Sequence, residues 1–125
     1  MNVSIVEDDE AVRKSLKNLL RSAGHRVKLF ACAEEFFAAA ASASSHVVIT
    51  DIQLAGNSGI EVTRRLKGPG SNVRVVVIAA SLDAKSHASA VEAGADAYFV
   101  KPLGSGVLLA CVESWSSGSP GREGR

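Results

Sequence analysis

The chain has 125 residues, 46% of them hydrophobic and 5% aromatic, with fourteen basic against thirteen acidic side chains and a formal charge of +1. One domain of ordinary size with an adequate core fits that length, and two do not. Near-neutrality argues against a dedicated binder of nucleic acid or anionic membrane, which needs a concentrated positive field, and two distant cysteines, Cys32 and Cys111, argue against a disulfide scaffold.

Nineteen alanines and fifteen valines describe small-residue helices packed against β-branched strands, an α/β composition. The opening MNVSIVEDDE turns acidic after a short apolar run, unlike a secretory signal, and no apolar run approaches transmembrane length. The expectation is a cytoplasmic protein with no membrane partner and no direct nucleic-acid contact.

Val3-Ser4-Ile5-Val6 reads as a strand, followed by a helix carrying Val12, Leu16, Leu19 and Leu20 at helical spacing up to Gly24. Arg26 to Phe30 reads as a second strand and Ala33 to Ala41 as an alanine-rich helix burying Phe36 and Phe37. Val47 to Thr50, ending on Asp51, has the continuous apolar character of a central strand. Ser58 with Glu61 is a capping box for a helix to about Lys67, closed by Gly68-Pro69-Gly70.

Val73 to Ala79 contains Val75-Val76-Val77-Ile78, a run that suits a parallel strand covered on both faces. Ala84 to Ala93 is a helix ended by Gly94, Ala97 to Val100 a fifth strand and Ser105 to Trp115 the last helix. Residues 116–125, SSGSPGREGR, lack apolar groups and read as a flexible tail or truncated linker behind a domain of residues 1–115.

Five strand-helix units predict an open α/β parallel sheet with right-handed crossovers, whose working edge lies beyond the strands' C-terminal ends. That rule gathers Glu7-Asp8-Asp9, Asp51, Ala79-Ala80-Ser81 and Lys101 at one edge. Asp8, Asp9 and Asp51 supply the hard oxygens that magnesium takes, and Lys101 balances part of their charge and can hold a phosphoryl oxygen. No P-loop and no glycine fingerprint for a dinucleotide is present, so ATP and NAD lose their usual support.

VSIVEDDEAVRKSLKNLLRSAG, VVITDIQLAGNSGIEV and AGADAYFVKPL together resemble the receiver domain of bacterial two-component response regulators, most closely the type attached to helix-turn-helix output domains. The resemblance covers nearly all of residues 1–115. It implies a flavodoxin-like, doubly wound five-stranded parallel sheet of order 2-1-3-4-5 with five helices, a magnesium ion held by Asp8, Asp9, Asp51 and the Gln53 carbonyl, phosphate accepted on Asp51 from a sensor histidine kinase, and stabilisation of the phosphoryl group by Lys101. It also implies self-catalysed phosphotransfer and dephosphorylation rather than classical enzyme action, an aromatic switch at Tyr98, and a cis Lys101-Pro102 peptide. Partners would meet the surface of the fourth helix, fifth strand and fifth helix, as a homodimer or an output domain in a longer parent chain.

Two positions depart from the pattern. Ala79 stands where the family carries threonine or serine, so the hydroxyl that links the phosphoryl group to Tyr98 is missing, and Ser81 is only a weak substitute. Ala55 replaces a proline and loosens the Asp51 loop.

Plainer readings stand beside these. Asp8 and Asp9 also suit a helix cap, Lys101 an exposed turn, and Tyr98 a sheet aromatic with a wet hydroxyl. His25, His46 and His87 form no metal motif and read as surface or packing residues, and Trp115 as either core or contact surface. Three functions follow: a phosphoacceptor signalling domain, a receiver-like interaction module with weakened phospho-switching because of Ala79, and, last, a small magnesium-dependent phosphatase.

Overall fold

Alternate residues of the central strands enter two different cores, and this two-sided burial sets the architecture. In the computed structural model, residues 1–39, 44–54, 57–81, 83–101 and 104–116 are described. Chain order is β1 (Asn2–Val6), α1 (Glu10–Ser22), β2 (Arg26–Phe30), α2 (Ala33–Ala38), β3 (Val47–Asp51), α3 (Gly59–Leu66), β4 (Arg74–Ala79), α4 (Ala84–Ala93), β5 (Ala97–Val100) and α5 (Ser105–Ser116). The five long strands pair in parallel in the order β2-β1-β3-β4-β5.

Val48, Val75, Val77 and Ala79 point into one core with Phe36 of α2, Val62 and Leu66 of α3 and Ala90 of α4. Their neighbours Ile49, Val76 and Ile78 point the other way, onto Leu16 and Leu20 of α1 and Leu108 and Val112 of α5. A strand buried on both faces needs no polar alternation, which is why β3 and β4 read as continuous apolar runs. Register pairs Asp51 with Ile78 and Ala79 with Val100, so β3, β4 and β5 end together.

The helix ends follow local chemistry. Asp9 caps α1, Ser58 accepts from the Ile60 amide at the start of α3, and Asp83 accepts from the Lys85 amide at the start of α4. Of the expected capping box only the serine half is seen here, because the Glu61 carboxylate pairs with Arg64 at 3.3 Å. Gly24 and Gly94 end α1 and α4 at φ of 93° and 105°, a left-handed conformation that costs other residues strain.

Several details differ from the sequence expectation. α2 stops at Ala38, and the expected continuation over residues 40–41 lies outside the described residues. A two-residue antiparallel ladder, Gln53–Leu54 against Asn57–Ser58, was not anticipated. Ala55, Pro102 with the isomer of its peptide bond, and the tail beyond Ser116 also lie outside the described residues. Trp115 packs partly buried against the α1 and α5 core, with the Arg74 guanidinium 5.9 Å from its ring centroid. His25 is a buried packing residue, its Nε2 2.6 Å from Glu113 of α5. Among the described residues no helix is long and apolar enough to cross a membrane.

Candidate functional site

Backbone bonds hold the strand ends in fixed relation before any side chain acts. The Glu7 amide donates to Phe30 O, that of Ile52 to Ile78 O, and that of Lys101 to Ala79 O, at 2.8 to 3.0 Å. The Gly59 amide donates to Ile52 O at 2.8 Å, seating the first turn of α3 on the end of β3. The buried Thr50 hydroxyl donates to Asp51 O at 3.0 Å, so the carbonyl beside the key acid is also satisfied.

On this frame Lys101 Nζ donates to Asp51 Oδ2 at 2.8 Å and lies 3.1 Å from Glu7 Oε1. Asp51 Oδ1 accepts from the Gln53 amide at 3.0 Å. Oxygens of Glu7, Asp8 and Asp51 lie within 4.8 Å of one another and form a carboxylate cluster. Asp8 and Asp51 therefore meet as the spacing predicts, and the third carboxylate is that of Glu7.

Asp9 is placed differently. Its Oδ1 accepts from the Ala11 and Val12 amides at 2.9 and 3.2 Å, the side-chain cap that satisfies first-turn donors of α1. Glu7 is 1% exposed, whereas Asp8 and Asp9 are both exposed. The signal for Glu7 was its place as the first acid after the apolar run of β1.

Burial pushes the Glu7 carboxyl up to about 7, against the Asp9 amide and Lys101, which favour its ionised form. For Lys101 burial acts to lower the ammonium's pKa, but the hydrogen bond to Asp51 and the contact with Glu7 outweigh it and raise the pKa above the usual lysine value. The cation thus stays charged between two carboxylates.

A cleft of about 770 Å³ opens beside this cluster, lined by Asp8, Asp51, Gln53, Ala79, Ser81 and Tyr98 among others. Ala79 is 3% exposed and presents only a methyl group. Ser81 lies on the cleft but is exposed. The Tyr98 hydroxyl is buried with no hydrogen-bond partner among the described residues, and burial, then the charge of Asp83, raises its pKa. That environment is not the wet hydroxyl of the plainer reading. The Tyr98 ring meets the His87 ring edge-to-face, with centroids 4.8 Å apart.

A second residue escaped the sequence reading. A β-carbon at Gly59 would overlap the backbone of Asp51, so glycine is required there by close approach. The spacing marked a glycine in the loop without showing what it faces.

This arrangement of oxygens and a fixed ammonium can hold a hard cation and stabilise charge on a transferring group. Comparison with known proteins shows which family the fold belongs to. The model of the response regulator receiver domain family matches residues 3–113. The transcriptional regulatory protein FixJ of Rhizobium meliloti strain 1021 is 35% identical over 111 residues, which is 89% of this chain and 54% of that protein. The response regulator MprA of Mycobacterium tuberculosis strain H37Rv is 32% identical over 88% of this chain and 48% of its own length. The chain thus spans about half the length of these curated relatives. Among solved structures, the BeF3-activated DrrB receiver domain superposes with a TM-score of 0.85 at 32% identity, covering 93% of this chain and 97% of that one. A response regulator receiver protein from Burkholderia phymatum gives 0.80 at 35% identity, covering 93% and 94%.

Proposed function

The chain belongs to the response regulator receiver domain family, and from that membership we propose that it accepts a phosphoryl group on Asp51 from a sensor histidine kinase, with magnesium as cofactor. The observation that carries this reading is the Lys101 ammonium held 2.8 Å from Asp51 Oδ2 beside a cluster of three carboxylates.

The residues present fit magnesium. All three acids offer hard oxygen, and their ligand oxygens lie within 4.8 Å of one another. Glu7, Asp8 and Asp51 would hold it, with the Gln53 carbonyl as a further donor, while Asp9 keeps its place as the cap of α1. Magnesium, when bound, neutralises charge on an oxygen of the transferring phosphoryl group.

Asp51 is the nucleophile. One of its oxygens forms a bond to phosphorus as the bond from phosphorus to the phosphohistidine nitrogen breaks, and the imidazole leaves with that electron pair. The Lys101 ammonium, already at Asp51, stabilises the phosphoryl oxygens. No separate general base is required, and hydrolysis of the same acyl phosphate resets the domain.

A wider signalling role follows from the family. Val91 on α4 and Val107 on α5 are large apolar side chains left 56% and 58% exposed, which supports a partner surface around α4, β5 and α5. A second copy or an output domain of a longer parent chain, such as a helix-turn-helix domain, would dock there. Ala79 favours a second reading, in which a partner engages the domain regardless of phosphorylation.

Incubation with magnesium and a small acyl-phosphate donor, followed by intact-mass analysis, tests the first reading. One phosphoryl mass is expected on the native chain and none on Asp51→Asn. No added mass under conditions that phosphorylate a control receiver would sink it.

A further inference from the structure

Tyr98 is the chain's single tyrosine, and its hydroxyl is buried without a partner among the described residues. The ring lies against the core that contains Val77, Ala79 and Ala90. At position 79 a buried methyl group can neither donate nor accept a hydrogen bond, so this side chain carries no information between Asp51 and Tyr98. Contact with Tyr98 comes instead from α4. His87 meets its ring edge-to-face at a centroid distance of 4.8 Å and an interplanar angle of 67°. The backbone that carries this exposed histidine is fixed at the start of α4: its amide donates to Asp83 O at 2.9 Å, and the Asp83 side chain accepts from the Lys85 amide and from the Ser86 hydroxyl, at 3.2 and 2.8 Å.

We propose that His87 is the positioning residue for Tyr98, and that the inward orientation of the tyrosine is set from helix α4 rather than by the phosphorylation state of Asp51. The unpartnered hydroxyl opposes burial, so ring packing must hold the side chain in, and the His87 edge supplies part of that packing. The α4 and β5 surface is then presented in one state, and a partner docking there meets the same half-buried Tyr98 with its hydroxyl inward, with or without a phosphoryl group. The phosphorylated arm of this inference rests on the phosphoacceptor reading above.

The test uses the full chain with 13C-labelled tyrosine rings, which gives a single set of ring resonances. Exposure of the ring is read as relaxation enhancement by a soluble, inert gadolinium chelate. Wild type, His87→Ala and His87→Phe are compared before and after treatment with magnesium and a small acyl-phosphate donor, with intact mass recorded in parallel. Exposure is expected to be unchanged by phosphorylation in wild type, to rise about twofold or more in His87→Ala, and to stay at the wild-type level in His87→Phe, which keeps an aromatic edge. Phosphorylation changing exposure as much as His87→Ala does, or His87→Ala leaving it at the wild-type level, would overturn the proposal. Failure to gain phosphoryl mass would overturn the phosphoacceptor reading alone, since the two substitutions still decide the role of His87.

Discussion

Gly59 abuts Asp51 so closely that a β-carbon there would overlap the Asp51 carbonyl oxygen and lie 2.8 Å from the Ile52 α-carbon. Both neighbours are backbone atoms and cannot swing aside. Gly59→Ala must therefore push α3 away from β3 or displace Asp51, with a loss of about 1–3 kcal/mol in stability by urea denaturation. A misplacement of about 1 Å at a reacting group costs on the order of 100-fold in rate, so phosphoryl acceptance should slow by at least about tenfold. Gly24→Ala is the control. At φ of 93° it strains the backbone with nothing within 4 Å of the added carbon, and should cost about 1 kcal/mol without altering phosphorylation.

On the proposed function, Lys101 acts on magnesium binding and on phosphoryl transfer in opposite ways. Without metal its ammonium neutralises Asp51 and Glu7, and so competes with a cation for the same carboxylates. Lys101→Met should raise magnesium affinity severalfold in a calorimetric titration, yet lower the rate of phosphorylation by about 100-fold, the scale of losing one preorganised donor to developing charge. Weaker magnesium binding together with an intact transfer rate would contradict this assignment.

On the proposed magnesium site, proton and metal compete at Glu7. Because burial raises its pKa from 4.5 to about 7, the folded protein keeps a proton on Glu7 that the unfolded chain releases above about pH 4.5. Its contribution to stability is full below pH 4.5 and is lost as pH rises through about 7, at most about 3 kcal/mol in all. Metal-free Glu7→Gln should lack that decline and be more stable than wild type above pH 7. Magnesium needs the ionised carboxylate, so wild-type affinity should fall about tenfold from pH 8 to pH 6. Glu7→Gln should bind more weakly with a flatter pH profile. Equal pH dependence in the two proteins would sink the role of Glu7.

Most of the architecture was legible because burial on both faces leaves a continuous apolar record. Val75-Val76-Val77-Ile78 suits a strand covered on both faces, and the end of VVIT placed Asp51 at the sheet edge beside Lys101. The acidic run was harder to read. Glu7-Asp8-Asp9-Glu10 spans the change from strand to helix, where neither the two-residue nor the 3.6-residue period assigns a side chain its direction, so the sequence did not separate the cluster acid Glu7 from the cap Asp9. Gly59 was visible only as a loop glycine because its constraint comes from a neighbour eight positions back. The environment of Tyr98 depends on His87 from another element, and no local pattern encodes that contact.

On the proposed function, Asp8 and Asp9 separate metal binding from helix capping, since Asp8 lies in the carboxylate cluster and Asp9 caps α1. Asp9→Ala removes the acceptor of two amide bonds at the start of α1, at a cost of about 1 kcal/mol. Its carboxylate is directed at those amides, so magnesium affinity should stay within about twofold of wild type. Asp8→Asn removes an exposed charge from the cluster with Glu7 and Asp51, and stability should change by no more than about 0.5 kcal/mol. Its magnesium affinity should fall by at least about tenfold, because a charged oxygen donor becomes neutral. Paired denaturation and magnesium titrations on the two variants decide the matter. A loss of affinity in Asp9→Ala as large as that in Asp8→Asn would place Asp9 back among the metal donors and reduce the cap to a feature of the metal-free state.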